Sequence, residues 1–159
     1  MAPRPSEAAR RRAAQAWFDD AQADLSSARS LSRHRDEQTA PFGAAFHAEQ
    51  AVEKGLKSLL IYHDIDYPPK HDLGLLIGLL PVGLSTTNAP VAGLTVYAVE
   101  QRCIAGAANP MSLNDRPTWD EADEAISVAA RTLAAVSSDL TTAFARAHTA
   151  HPGEGTSQP

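Results

Sequence analysis

Residues 118–143, TWDEADEAISVAARTLAAVSSDLTTA, decide the fold. Thr118 and Glu121 stand three apart as a Ser/Thr-x-x-Asp/Glu capping box, in which each side chain satisfies a free backbone N–H of a helix's first turn. Beyond the box, Trp119, Ala122, Ile126, Ala129, Leu133, Val136, Leu140 and Ala143 step by three and four residues. That pattern predicts a long straight helix with one apolar seam, the kind that packs in a bundle.

Working outward, the same periodicity recurs. Trp17, Ala21, Asp24, Leu25, Ala28 and Leu31 predict a first helix from about Glu7 to Ser32. Phe42, Ala45, Phe46, Val52, Leu56, Leu59 and Leu60 predict a second from about Pro41 to Asp64, stopped before Tyr67-Pro68-Pro69. A short third helix is expected from about His71 to Leu80, then a Ser/Thr/Asn-rich connection from Leu84 to Pro90. The fourth is expected from about Val91 to Ala107, and the capping box opens the fifth. Residues 1–6 read as a flexible arm, 7–148 as one helical domain, and 149–159 as a disordered tail without apolar anchors.

The 159 residues suit one domain. With 43% hydrophobic and 21% charged residues the chain is globular in composition rather than disordered. Fourteen Lys+Arg against nineteen Asp+Glu leave a net charge of −5, which argues against coating nucleic acid by bulk charge but leaves room for a local basic cleft. One cysteine, Cys103, excludes an intramolecular disulfide and a thiolate zinc cage. His34, His63, His148 and His151 read as exposed or terminal, and no histidines stand at ligand spacing, so no metal and no cofactor is expected. The longest apolar stretch, Leu73–Leu84, is too short and too rich in Gly and Pro to span a membrane. No apolar segment follows the N-terminal arginines, so no signal peptide is read and the expected location is the cytoplasm.

Several polar residues fall where packing would prefer leucine. On a helical wheel Glu49 lies near the middle of the second helix's apolar face and Glu53 toward its margin, with His47, Gln50, Lys54 and Lys57 fanning out beyond. Asp24 raises the same question on the first helix and Arg102 on the fourth. A carboxylate in an apolar core is costly unless paired and hydrogen-bonded. Asp24, Glu49, Glu53 and Arg102 therefore form either an internal ion-pair network or part of a polar groove. Asp72 reads as a cap for the third helix, where Lys70 and His71 also suit an anion.

Three pieces in this order carry a resemblance. They are Trp17-x3-Ala21-x2-Asp24-Leu25-x2-Ala28, then Phe46-His47-Ala48-Glu49-Gln50-Ala51-Val52-Glu53-Lys54-Gly55-Leu56-Lys57, then Pro69-Lys70-His71-Asp72-Leu73. With Leu94-x2-Tyr97-Ala98-x3-Arg102 they resemble the HEPN domain family over about Ala16 to Leu140. The resemblance implies an all-α, up-and-down four-helix bundle with a short additional helix, five helices in all. It also implies a homodimer and a possible MNT-type nucleotidyltransferase partner. Many members are metal-independent RNases using Arg-x4-6-His. Here Arg102 is followed at those spacings by Ala107, Ala108 and Asn109, none of which can take a proton from a ribose hydroxyl near neutral pH.

The leading expectation is therefore a non-catalytic module, with no catalytic residue assigned, that binds a nucleotide or RNA phosphate. His47, Lys54, Lys57, His71 and Arg102 would supply the cations, oriented by a polar network of Asp24, Glu49 and Glu53, in a toxin–antitoxin or defence-type system. Two alternatives stand beside it. One is an endoribonuclease toxin using Arg102 with a non-standard histidine, His47 or His71. The other is a purely structural dimerisation or scaffold domain.

Overall fold

The computed structural model describes residues 4–35, 41–91, 94 and 117–150, with side chains through 147. Four α-helices and one 3-10 turn make up the regular structure among these residues: α1 (Glu7–Arg33), α2 (Pro41–Tyr62), α3 (Leu73–Gly78), the turn Ser85–Asn88, and α4 (Trp119–Ala150). No strand occurs among them, so the all-α expectation holds. The expected fourth helix, with Tyr97, Arg102 and Cys103, lies almost wholly outside the described residues. At its edge Val91 is not helical and Leu94 sits in a turn, its amide donating to the Val91 carbonyl at 2.9 Å.

Local chemistry sets the ends of these helices. Ser6 caps α1 by accepting from the Ala9 amide at 3.2 Å. Pro41 opens α2 at a position where a missing N–H costs nothing. α2 stops two residues before the expected Asp64, because Asp64 adopts a left-handed φ of 57°. That bend turns the Ile65 amide onto Leu60 O at 3.0 Å and the Asp64 amide onto Ile61 O at 3.2 Å, a Schellman closure. α3 begins at Leu73 rather than His71, since Asp72 accepts from the Leu75 amide at 3.0 Å. The capping box of α4 forms as read, with the Thr118 amide donating to Glu121 at 2.7 Å and the Glu121 amide to Thr118 Oγ1 at 3.3 Å.

α1 and α2 run antiparallel: Arg10 meets Tyr62 near one end and Leu31 lies against Gly43 near the other. Alanines 14, 21, 28, 44, 45, 48 and 51 are all fully buried, and their small side chains let the helices approach closely. Phe18, which the first-helix pattern passed over, is a core residue, whereas Phe42 and Phe46 are only half-buried. α4 runs parallel to α2 and antiparallel to α1, bringing Phe144 to Arg11 and Asp123 to Ser32. Its predicted seam is buried at Ala122, Ala129, Leu133, Val136 and Leu140 and widens to include Ala125 and Val128.

Gly55 of α2 faces Leu133 of α4. A Cβ there would stand 2.5 Å from Leu133 Cδ2, whose side chain is enclosed. Gly55→Ala is expected to lose up to about 2 kcal/mol, because overpacking of about 1–3 kcal/mol is set against a helix-propensity gain of about 1 kcal/mol. Urea unfolding checks this: a variant as stable as the parent would show that the helices have slack.

The Leu84–Pro90 connection is more ordered than its composition suggests. Its 3-10 turn is pinned by Asp139 of α4, which accepts from the Ser85 amide (3.0 Å), the Thr86 amide (2.9 Å) and the Thr86 hydroxyl (2.7 Å). Burial pushes the Asp139 carboxyl up, but the donors from Thr86 and Ser85 together outweigh it and hold the group below the usual carboxylate range.

Candidate functional site

Arg10, Trp17 and Asp24 are spaced by seven residues on α1 and so share one stripe. Each meets polar atoms of α2: Arg10 the Tyr62 carbonyl, Trp17 the Lys57 ammonium, and Asp24 both His47 and Lys54. The polar residues of α2 are thus sorted into two clusters along one seam.

The first cluster is centred on Asp24. Its Oδ2 accepts from Lys54 Nζ at 2.6 Å, and its Oδ1 lies 2.9 Å from His47 Nδ1. All three side chains are half-buried, and the His47 ring stands edge-on to Phe46.

The second cluster is centred on Glu53, whose side chain is only 4% exposed. Lys57, one helical turn on, donates to Glu53 Oε1 at 2.6 Å, and His71 Nδ1 lies 2.7 Å from both carboxylate oxygens. The Lys57 ammonium also sits over the Trp17 and Tyr67 rings, 5.6 and 5.4 Å from their centroids, a cation–π arrangement that offsets part of its desolvation. His71 itself is 38% exposed. Glu53 occupies Nδ1 and orients the ring, which leaves Nε2 as the nitrogen for solvent or a ligand. Gln50 links this cluster to Glu49, donating to Glu49 Oε2 at 3.1 Å and reaching Glu53 Oε2 at 3.5 Å.

Lys57, expected on the polar side beyond Glu53, is buried, with Trp17 and Tyr67 covering it. Glu53 is not marginal but is almost as enclosed as Glu49, because the loop carrying Tyr67 and His71 closes over that side. Asp24 serves His47 and Lys54, Glu53 serves Lys57 and His71, and Gln50 bridges Glu53 to Glu49. Arg102 lies outside the described residues. Neither Tyr67 nor the arginine–carbonyl contact of Arg10 was signalled by spacing, since both depend on how the chain folds back after α2. His63, read as exposed, is half-buried, and its Nε2 is buried. No group of His, Cys, Asp and Glu suited to a metal occurs among the described residues. No helix among them is long and apolar enough to cross a membrane.

The HEPN domain model matches residues 14–139, which include all four α-helices in whole or part and both clusters. The chain belongs to the HEPN domain family. The bundle is similar to the crystal structure of an archaeal HEPN homologue, with a TM-score of 0.60 and 23% identity over 80% of this chain and 97% of that one. No curated protein matches the chain significantly.

Proposed function

We propose that this HEPN chain binds the phosphate of a nucleotide or RNA in the polar groove along α1 and α2. The observation that carries this reading is the buried Glu53 holding His71 by Nδ1, which sets a half-exposed imidazole edge beside Lys57 at the groove's rim. His47 and Lys54 extend the positive lining on the Asp24 side, and Arg102 is the remaining cation assigned to the groove. Each described cation of the groove already shares a carboxylate, so an entering anion competes with Asp24 and Glu53. Binding is therefore expected to be moderate and to weaken with salt.

The protein acts as a homodimer with a partner such as an MNT-type nucleotidyltransferase, in a toxin–antitoxin or defence-type system. Calorimetric titration with nucleotides and short RNAs tests the ligand, and co-purification with the product of an adjacent nucleotidyltransferase gene tests the partner. His71→Gln is expected to weaken nucleotide binding about tenfold, the loss of one charge-assisted contact. Undiminished binding in that variant would remove His71 from the groove.

The Glu53–His71 pair also favours a second reading. A carboxylate-oriented imidazole is the arrangement a general base needs, so His71 would stand in for the missing histidine of the RNase motif. It predicts RNA cleavage that survives EDTA and disappears in His71→Gln. Intact RNA after prolonged incubation with folded protein rejects it.

A further inference from the structure

A second polar site lies where α1 begins, about two helical turns from Trp17, since seven residues at about 1.5 Å each separate Arg10 from that residue by about 10 Å along the axis. A cleft between the start of α1, the end of α2 and the last turns of α4 is lined by Glu7, Arg10, Tyr62, His63, Ala143 and Arg146. Its parts are held in place. Arg10 donates from Nε to the Tyr62 carbonyl at 3.1 Å and from Nη1 to the Pro5 carbonyl at 2.8 Å, which fixes the guanidinium plane. Tyr62 donates its hydroxyl to the Ala143 carbonyl at 3.1 Å and packs edge-on against both His63 and Phe144. Arg11 is pinned beside the cleft with its guanidinium over the Phe144 ring.

His63 is the feature that packing leaves unexplained. Its Nε2 is buried and has no hydrogen-bond partner among the described residues. An orphaned buried polar atom of this kind carries a desolvation penalty that a bound acceptor relieves. Burial lowers its affinity for a proton, the nearby Asp139 opposes this, and Arg10 adds to the lowering, which favours the neutral ring. A neutral imidazole in the Nε2–H form is a single directed donor. Two guanidiniums beside it, with Glu7 the one carboxylate lining the cleft, match a group carrying two negative charges and several acceptor oxygens.

We propose that this cleft holds a terminal phosphate monoester, with Arg10 and Arg146 supplying charge and His63 Nε2 supplying the inward donor. The site is separate from the Glu53–His71 groove and does not depend on it. The phosphate group is that of the free ion, of a nucleoside 5′-phosphate, or of the 5′ end of an RNA.

Calorimetry on the full chain with inorganic phosphate, AMP, and RNA hexamers carrying a 5′-phosphate or a 5′-hydroxyl distinguishes these. Saturable binding is expected, weakened about tenfold in Arg146→Gln and in His63→Gln. Binding of AMP and the phosphorylated hexamer names a nucleotide or RNA end as the source; binding of inorganic phosphate alone names the free ion. Arg146 is on the surface, so Arg146→Gln decides even where His63→Gln unfolds. Absence of saturable phosphate or AMP binding by the folded parent overturns the proposal, as does undiminished binding in Arg146→Gln. Loss of binding in His71→Gln with Arg146→Gln unaffected would instead place the phosphate in the groove.

Discussion

Glu53→Ala should be the most damaging single substitution on the α1–α2 seam, lowering stability by about 3–5 kcal/mol. The reason lies in what it leaves behind. Lys57 is buried, with its ammonium between Glu53, Trp17 and Tyr67, and removal of the carboxylate strands that charge in a poorly solvated place. His71 loses the carboxylate that holds its Nδ1 at the same stroke, so the loop after α2 loses a tether to the bundle. A domain of this size would melt roughly 10 °C lower, at about 2–4 °C per kcal/mol. The double variant Glu53→Leu/Lys57→Met should recover much of the loss, because replacing both partners removes the stranded charge. A Glu53→Ala protein melting within a degree of the parent would show that Lys57 escapes to water.

Asp139→Ala should be nearly as costly, at about 3 kcal/mol. It strips acceptors from two amides and one hydroxyl, with Thr86 fully buried, and orphaned donors of this kind cost about 1–3 kcal/mol each. Acid reveals the same residue. Its carboxyl is held low in the folded protein, so its contribution is complete above the ordinary aspartate value of about 3.9. That contribution fades as pH falls below this value and is gone once pH passes the folded-state value. Asp139→Asn should therefore be less stable than the parent at pH 7, with the gap narrowing below about pH 4. Urea midpoints measured from pH 7 to 3 test this, and a constant gap would exclude the carboxylate as its origin.

What could be read in the chain and what could not follows from distance along it. Thr118 with Glu121, and Asp72 with the Leu75 amide, are each complete within three residues, so their roles were legible. Glu53 and Lys57 stand one turn apart, and their pairing was open to the same reading. The helical wheel gave directions but not coverings. It placed Lys57 outside the apolar face, and only folding puts Trp17 and Tyr67 over it. His71 reaches Glu53 across 18 residues and Thr86 reaches Asp139 across 53, separations that local pattern does not encode. The first was nameable as a candidate from its motif. The second had no signal, because a single aspartate among serines and alanines on α4 looks like a surface residue.

The enclosure of α2 also sets a clock. Ser58, Leu59 and Leu60, like Val52 and Leu56, are wholly covered, so their amides meet solvent only when the bundle comes apart. His71 hangs instead on a short irregular stretch before a six-residue helix, where opening is local and cheap. The Glu53–His71 contact therefore joins the slowest-exchanging part of the molecule to one of the faster ones. The imidazole can leave and return many times within one lifetime of the fold, while the carboxylate that receives it stays where it is.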